Sequence, residues 1–454
     1  MYGDTIAAIA TPLGEGGLAI IRLSGPQALA VAERSFVPAG KHSRKPGEAA
    51  SHTIHYGHVV RRGVVVDEVL LSVMRAPRTF TREDVAEITC HGGVLVSKQV
   101  LDTVLENGAR LAEPGEFTMR AFLNGRIDLA QAEAVADLIH SRTELALRAA
   151  NEQLAGKLSQ RINQLRDDLM QTLAHVEAYL DFPEEDIAPD TMEQLLGRLD
   201  RGVAFMDELL ATADEGRVLR RGVRAAIVGR PNVGKSSLLN QLLGHNRAIV
   251  SAIPGTTRDT IEETANVRGL PVVFVDTAGL REAHDEIELE GIRRSHEALA
   301  RAEFVLQVLD ASEPLTAEDE RWLAEFAGKK RILVCNKSDL PRRLVLPDDA
   351  PATDVCCLSG AGIEALKDAI KALVWSGEIV AESLEVMINA RHQDALNRAR
   401  TAAVDAAAAL RNGVGLELVA IDLRAAANAV GEVVGKTTTE DLLDAIFHQF
   451  CIGK

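Results

Sequence analysis

Five short motifs stand in a fixed order between residues 229 and 362, and they constrain this 454-residue chain more than any other feature. They are GRPNVGKS from Gly229, GTTRD from Gly255, DTAG from Asp276, NKSD from Asn336 and SGAG from Ser359. Any one of them can arise by chance. Together, in this order, they predict a guanine-nucleotide switch domain of the P-loop α/β type.

The first motif is a Gly-x4-Gly-Lys-Ser turn, in which successive backbone N–H groups can wrap a chain of phosphates. We expect Lys235 to reach the β and γ phosphates and the Ser236 hydroxyl to ligate Mg2+. The run RAAIVG before the turn is typical of a strand, and SSLLNQLL after it is typical of a helix. This strand–loop–helix context favours a true phosphate-binding loop, because the helix N-terminus adds its dipole.

Two further strands are predicted to end at the same edge. The strand RILVCN ends at Asn336, and Asp339 follows it closely. The strand PVVFVD ends at Asp276, whose carboxylate is expected to contact the Mg2+ hydration shell. An aspartate can accept hydrogen bonds from both N1–H and the 2-amino group of guanine, and adenine lacks that donor pair. The sequence therefore predicts GTP rather than ATP, with the Gly279 N–H sensing the γ-phosphate.

The residues predicted to contact GTP all lie in the motifs or directly beside them. They are Asn232, Val233, Gly234, Lys235, Ser236, Ser237, Ser251, Ala252, Ile253, Pro254, Gly255, Thr256, Thr257, Asp276, Thr277, Ala278, Gly279, Asn336, Lys337, Asp339, Ser359, Gly360 and Ala361.

The residue after DTAG is Leu280, where Ras-type GTPases carry a glutamine that orients the attacking water. An apolar side chain cannot do this, so a carboxylate or a positive charge must come from elsewhere. The acidic run REAHDEIELE, residues 281–290, offers carboxylates, and Arg258 and Arg281 are available basic groups. The motif residues alone do not choose among them.

Length and composition favour a cytoplasmic protein of about two to four domains. The chain is 46% hydrophobic and 26% charged, and it has no apolar stretch near the roughly 20 residues of a membrane span. Its five cysteines form no CxxC pair, so reduced thiols are expected. A net charge of -16 argues against broad nonspecific nucleic-acid binding.

The pattern along the chain predicts three domains. Residues 1–121 mix short strands and turns with one helix near 94–107, which indicates an α+β domain. Residues 122–216 and 381–454 carry long amphipathic helices that need each other to cover their apolar faces. We therefore expect one helical domain interrupted by a GTPase domain at 217–380. Thr438 is the expected N-cap of the last helix.

Sequence outside the GTPase motifs carries a resemblance to a known family. GGLAIIRLSG, TREDVAEITCHGG, the junction PGEFTMRAFLNGRIDLAQAEAVADLI and the final CIGK, together with the five motifs, resemble the MnmE (TrmE) family of bacterial and organellar tRNA modification GTPases. These proteins belong to the TrmE-Era-EngA-like GTPases. The resemblance covers essentially the whole chain. It implies an N-terminal folate-binding domain related to one-carbon transferases, a central helical domain and an inserted Ras-like domain.

The resemblance also implies an activity and partners. The implied protein is a K+-dependent homodimer whose GTPase is activated by dimerisation. With an FAD-containing subunit, MnmG or GidA, it forms a heterotetramer that installs the (carboxymethyl)aminomethyl group at C5 of the wobble uridine of certain tRNAs. The carbon unit comes from a tetrahydrofolate derivative, 5-formyl or 5,10-methylene.

Family roles carry over to matching positions. The resemblance implies Mg2+ ligands at Ser236 and Thr257, and K+ ligands at Asn232, Ser251, Ile253 and Thr256. It implies a folate site at Arg22, Glu83, Arg126 and Lys454, although relatives often carry Lys at the position of Arg126. The implied catalytic groups are Glu288, which orients water across a dimer of GTPase domains, and the thiol of Cys451.

Two other classes share part of this pattern. A ribosome-assembly GTPase of the Era or EngA kind has the same five motifs, but it normally adds a basic RNA-binding module or a second GTPase domain. A dynamin-like membrane machine also dimerises through its GTPase domains, but it needs a basic amphipathic segment. The segments outside the GTPase domain favour the tRNA modification family over both.

Overall fold

The computed structural model describes residues 3–40, 45–181, 192–244, 263–275, 300–346, 352–375, 386–413 and 415–453. Backbone contacts divide the chain into two compact units. The first comprises Met1–Ala136, Ser159–Met192 and Asp405–Lys454, and the second comprises Asp137–Leu158 and Glu193–Val404. The three domain ranges expected from the sequence stay predictions.

The first unit contains a seven-stranded sheet in the order β3-β4-β5-β6-β2-β1-β7. Its strands are β1 Ile6–Ile9, β2 Gly16–Ser24, β3 Phe36–Pro38, β4 Thr53–Arg61, β5 Val64–Met74, β6 Val85–Gly92 and β7 Arg110–Leu111. Neighbours are antiparallel except for β1 and β7, which are parallel. The tight turn between β4 and β5 places Arg62 and Gly63 at positive φ, as a two-residue hairpin requires.

Two helices cover one face of this sheet, α1 Ala28–Ser35 and α2 Val94–Glu106. Their buried residues join one core with those of the strands, including Val31, Val104, Ile21, Leu71 and Ile88. Helix α2 confirms the helix expected near residues 94–107. It ends at Glu106 with Asn107 as its C-cap, and Gly108 follows at φ +107°.

Helices make up much of the remaining described chain outside the nucleotide motifs. They are α3 Glu116–Leu123, α4 Leu129–His140, α5 Glu144–Leu154, α6 Lys157–Asp181, α7 Met192–Ala211, α8 Ala213–Arg221, α12 Ala390–Arg411, α13 Leu416–Val434 and α14 Glu440–Phe447. Helix α5 starts at an N-cap, because the side chain of Thr143 accepts a hydrogen bond from the Ala146 amide. The expected N-cap of the last helix was wrong by one residue: Thr439, not Thr438, accepts from the Leu442 amide.

The second unit contains a six-stranded sheet in the order β13-β12-β11-β8-β10-β9. Its strands are β8 Val223–Val228, β9 Glu263–Val267, β10 Leu270–Phe274, β11 Phe304–Asp310, β12 Arg331–Asn336 and β13 Ala352–Asp354. All neighbours are parallel except the β9–β10 hairpin. The described residues of this region form three helices, α9 Lys235–Leu243, α10 Ala317–Glu325 and α11 Ile363–Val374.

The parallel strands β8, β11 and β12 are almost entirely buried, which explains their continuous apolar sequences. Since parallel strands share one direction, the loops after β8, β11 and β12 lie at the same edge of the sheet. None of the helices in the described ranges is long and apolar enough to cross a membrane.

Candidate nucleotide-binding site

The loop between β8 and α9 has a backbone that only glycine can supply at two points. Gly229 adopts φ +147° and Gly234 φ +99°. A Cβ on Gly229 would lie 2.3 Å from the Val308 carbonyl oxygen, and one on Gly234 would lie 2.2 Å from the Asn336 side-chain nitrogen. The loop therefore packs against β11 and β12 with no room for a side chain at either position.

The Lys235 side chain is hydrogen-bonded to the backbone of this same loop. Its Nζ donates to the carbonyl oxygens of Gly229 at 2.7 Å and Arg230 at 2.8 Å. Burial lowers the pKa of the ammonium group, since little solvent stabilises the charge. A phosphate placed in the loop would supply the missing negative charge, so the geometry suits an anionic ligand. Ser236 and Ser237 follow in the first turn of α9.

Asn336 joins the phosphate-binding loop to the SGAG segment. Its Nδ2 donates to the Val233 carbonyl at 2.8 Å, and its Oδ1 accepts from the Cys357 amide at 3.1 Å. The Cys357 carbonyl in turn accepts from the side chain of Gln241 on α9 at 2.8 Å. Gln241 was not predicted as a site residue, because its position in an ordinary helical pattern carries no signal.

The other predicted base-binding residues lie at the same edge. Lys337 adopts φ +64°, and its Nζ lies 2.5 Å from Oδ2 of Asp310 at the end of β11. Asp339 is exposed after the turn, and so is Ser359. The Ala361 carbonyl accepts from the Cys356 amide at 2.9 Å, which closes the turn that contains Gly360. The structure thus brings the first and fourth motifs together, with the fifth beside them.

Several predicted residues fall outside the described part of the chain. They are Ser251, Ala252, Ile253, Pro254, Gly255, Thr256, Thr257, Asp276, Thr277, Ala278, Gly279, Glu288 and Lys454. Most K+ ligands, the second Mg2+ ligand and the implied catalytic carboxylate are among them, so these assignments stay predictions.

The described residues form no cluster of three or more His, Cys, Asp or Glu side chains that could hold a metal by themselves. Mg2+ at a nucleotide site is usually bound through substrate phosphates and one or two protein groups. Ser236, next to the glycine-lined loop, fits such a role.

The described residues of the implied folate site, Arg22, Glu83 and Arg126, lie in the first unit. Arg22 on β2 pairs with Glu87 at 2.7 Å, and its guanidinium lies 5.8 Å from the centre of the Phe117 ring. Arg126 donates to the Phe80 carbonyl at 3.1 Å and lies over the Phe80 ring, 4.8 Å from its centre.

Glu83, the implied partner of the pterin ring, is only 8% exposed. It accepts hydrogen bonds from Ser24 at 2.7 Å and from Arg120 at 3.3 and 3.4 Å. Because a carboxylate has about four acceptor positions, one more donor fits. Arg120 itself was not predicted. It is fully buried, and its Nη2 donates to Asp4 and Glu116 at 2.8 Å.

The last described residues contact the N-terminal part of the first unit, to which they themselves belong. Ile452 forms an antiparallel bridge with Pro114, and the Gly453 carbonyl accepts from Arg22 at 3.4 Å. Gly453 has φ +98°, and a Cβ there would lie 2.5 Å from the Ile9 carbonyl oxygen. The tail therefore reaches the N-terminal sheet without a second copy of the chain.

Cys451 is exposed, whereas the other four cysteines are buried. Burial raises the pKa of the Cys90, Cys335 and Cys357 thiols to about 11, so they stay protonated and unreactive at neutral pH. Cys451 is thus the thiol that a reagent or substrate can reach.

Comparison with known proteins extends over the whole chain. A family model described as GTP-binding protein TrmE N-terminus matches residues 5–126, and one described as MnmE helical domain matches residues 129–451. The tRNA modification GTPase MnmE of Geobacillus kaustophilus is 51% identical over 461 residues, covering 99% of each chain. The chain belongs to the MnmE family of tRNA modification GTPases. The corresponding proteins of Geobacter sulfurreducens, 49% identical with 99% of each chain covered, and Listeria innocua, 48% identical with 100% of each covered, agree.

Membership in the MnmE family confirms the predicted fold class, an N-terminal α+β domain followed by a helical domain with an inserted α/β GTPase domain. It also makes the chain a GTP hydrolase that acts in tRNA modification. Among solved structures, the G domain of the T. maritima FeoB iron transporter is 26% identical over 33% of this chain and 98% of that one, with a TM-score of 0.24. Aquifex aeolicus Era bound to GDP.AlF4- is 26% identical over 39% of this chain and 66% of that one, with a TM-score of 0.26.

Proposed function

We propose that this MnmE-family chain is a K+-dependent GTPase, activated when two GTPase domains pair, whose turnover drives the modification of C5 of the wobble uridine in certain tRNAs. The observation that carries this proposal is the 51% identity to a tRNA modification GTPase over nearly the whole chain, including the segments outside the GTPase domain. A ribosome-assembly GTPase is the weaker alternative, because such a protein would be expected to match only around the five motifs.

GTP is the substrate that the site fits. The glycine-lined loop holds the phosphates, Lys235 neutralises them, and Asn336 keeps the loop next to the base-binding turn that ends in Asp339. Ser236 and Thr257 would hold Mg2+, which when bound neutralises charge on the β and γ phosphate oxygens. Because Leu280 cannot orient water, the attacking water needs a carboxylate from another segment.

The proposed K+ site lies beside this loop. Asn232 is exposed at φ +63°, so its side-chain amide is available as a ligand, with Ser251, Ile253 and Thr256 as the remaining proposed ligands. Bound K+ supplies the positive charge that an arginine finger supplies in other GTPases. The residues that do the remaining chemistry are Lys235 at the phosphates and Glu288 at the water.

Replacing Glu288 with alanine is expected to leave GTP affinity unchanged and to lower K+-stimulated turnover by about 100-fold or more, the range that a positioned general base contributes. The measurement is GTP hydrolysis in K+ and in Na+, with GTP affinity measured separately. Glu286→Ala, from the same acidic run, is the matched control and should hydrolyse GTP normally. Full K+-stimulated turnover by Glu288→Ala would remove Glu288 from the mechanism.

For the second half of the activity we propose a tetrahydrofolate derivative, 5-formyl or 5,10-methylene, bound by Arg22, Glu83, Arg126 and Lys454. Cationic side chains suit its glutamate tail, and Glu83 accepts three hydrogen bonds out of the about four that a carboxylate can accept. The proposed assembly is a homodimer that joins the FAD-containing MnmG (GidA) subunit in a heterotetramer, acts on tRNA, and works in the cytoplasm. The product is the (carboxymethyl)aminomethyl uridine.

Replacing Cys451 with serine is expected to abolish this tRNA modification and to spare GTP hydrolysis, because the exposed thiol lies on the tail beside Arg22 and far along the chain from the nucleotide motifs. The measurement is mass spectrometry of wobble-uridine nucleosides from a deletion strain that carries each variant, together with the GTPase rate of the purified protein. Gln449→Ala, an exposed neighbour, is the control. Normal modification by Cys451→Ser would leave this thiol with a packing role only.

A further inference from the structure

Residues 310–319, which run from the last residue of β11 into the first turn of α10, contact the first and the fourth nucleotide-binding motifs. The two end residues, Asp310 and Asp319, are each only 4% exposed. Buried carboxylates are costly unless a cation or several hydrogen bonds compensate them, so their partners are informative. We call residues 310–319 the acidic connection.

At the start of the acidic connection, Asp310 holds Lys337 of the NKSD motif. The Lys337 Nζ lies 2.5 Å from Asp310 Oδ2, and the Ser312 amide and hydroxyl donate to Oδ1 at 2.9 and 2.6 Å. Burial opposes ionisation of Asp310, but the hydrogen bonds from Lys337 and Ser312 outweigh it and hold the pKa below its ordinary value. Lys337 also adopts a left-handed φ of +64°, a strained conformation for lysine.

At the end of the acidic connection, Asp319 holds Arg230 of the phosphate-binding loop. The Arg230 Nε donates to Asp319 Oδ1 at 2.9 Å, and Asp319 is itself fixed by a reciprocal capping box with Thr316. Arg230 also contacts Glu313 at 3.1 Å, but Glu313 is 55% exposed and contributes little. The Arg230 carbonyl accepts a hydrogen bond from Lys235 Nζ. A contact that fixes Arg230 therefore also helps to position Lys235, the lysine expected to reach the phosphates.

We propose that Asp310 and Asp319 are positioning residues for GTP, with Asp310 acting on the base end of the site and Asp319 on the phosphate end. The physical reason is that one short connection pairs through buried carboxylates with a lysine in one motif and an arginine in the other. The acidic connection therefore sets where the two motifs stand relative to each other. This inference rests on the proposed assignment of the GTP-binding residues.

The test uses the full chain and the variants Asp310→Asn and Asp319→Asn, which keep the shape and remove the charge. Equilibrium affinities are measured for GDP and for inosine diphosphate, which lacks the 2-amino group of guanine. Asp319→Asn is expected to lower the affinities for both nucleotides by about tenfold, and the ratio of the two affinities should stay as in the wild type. Asp310→Asn is expected to lower the affinity for GDP by about tenfold and the affinity for inosine diphosphate by less. The preference for GDP over inosine diphosphate should therefore become smaller than in the wild type. Glu313→Gln is the matched control and should bind as the wild type does.

Wild-type affinities in both aspartate variants would overturn the proposal, and so would an equal loss of both nucleotides in Asp310→Asn. If an aspartate variant does not fold, two other variants replace it. Arg230→Gln removes the contact with Asp319 from the other side, and Ser312→Ala removes the hydroxyl hydrogen bond that orients Asp310. Wild-type binding by these two would also overturn the proposal. A wild-type chain that binds neither nucleotide would instead refute the proposed GTP site, so the two failures are distinguishable.

Discussion

Replacing Gly234 with alanine should lower the affinity for GTP and GDP by at least about 100-fold, which corresponds to about 2.7 kcal/mol. The added Cβ would lie 2.2 Å from the Asn336 side-chain nitrogen, at a backbone φ of +99° that alanine rarely adopts. To relieve the clash, Asn336 must move, and it then loses its hydrogen bonds to Val233 and Cys357. Both the phosphate loop and its link to the base-binding turn are damaged by one methyl group.

The measurement is equilibrium binding of GDP and GTP to the full chain. Gly328→Ala is the matched control, because a Cβ at Gly328 meets no atom within 4 Å. The control should bind as the wild type does. Near-normal affinity in Gly234→Ala would show that the loop can rearrange around the methyl group. The close contact between Gly234 and Asn336 would then not be needed for nucleotide binding.

Replacing Arg120 with methionine is expected to destabilise the N-terminal sheet by about 3–5 kcal/mol, the cost of breaking a buried ion pair from one side. Arg120 is fully buried, and its guanidinium contacts carboxylates of Asp4, Glu83 and Glu116. Methionine leaves Glu83 and Glu116 in the interior without this cation. Because the chain has two compact units, we would measure local opening by hydrogen exchange of the β1 and β6 amides rather than one global transition.

The effect of Arg120→Met should depend on pH in a defined direction. Burial alone would raise the pKa of Glu116, but hydrogen bonds from Arg110, the Glu113 amide and Arg120 hold it below its ordinary value. Such a carboxyl stabilises the fold above its unfolded pKa of about 4.3 and loses that contribution as the pH falls through the folded value. The difference between wild type and variant should therefore be largest near neutral pH and shrink below about pH 4.

Arg62→Met is the control, because Arg62 pairs with Glu106 at the surface with 79% of its side chain exposed. It should leave exchange of β1 and β6 unchanged. If Arg120→Met opened no faster than this control, the buried cluster would be a consequence of packing and not a source of stability.

The phosphate loop shows how much of the site local sequence could predict. Gly229 and Gly234, the strand before them and the helix after them all occur as expected, because backbone conformation and strand or helix preference depend mostly on neighbouring residues. The same holds for strand RILVCN and for the long amphipathic helices. The breaks between α4, α5 and α6 were not anticipated, since Ala-rich sequence continues across them.

Side-chain partners far apart in the sequence could not be predicted in this way. Asp310 meets Lys337 across 27 positions, and Asp319 meets Arg230 across 89. Arg120 was overlooked because an arginine in a short amphipathic helix ordinarily faces water.

The sequence by itself determined the family, the order of the motifs and the backbone of the phosphate loop, because these depend on residue identity and on local geometry. Only the tertiary structure decided which charges are buried together, and that the tail bearing Cys451 lies against Arg22, 431 positions before Gly453. The physical reason is that burial and pairing arise when distant strands and helices pack, and no short stretch of sequence carries that information.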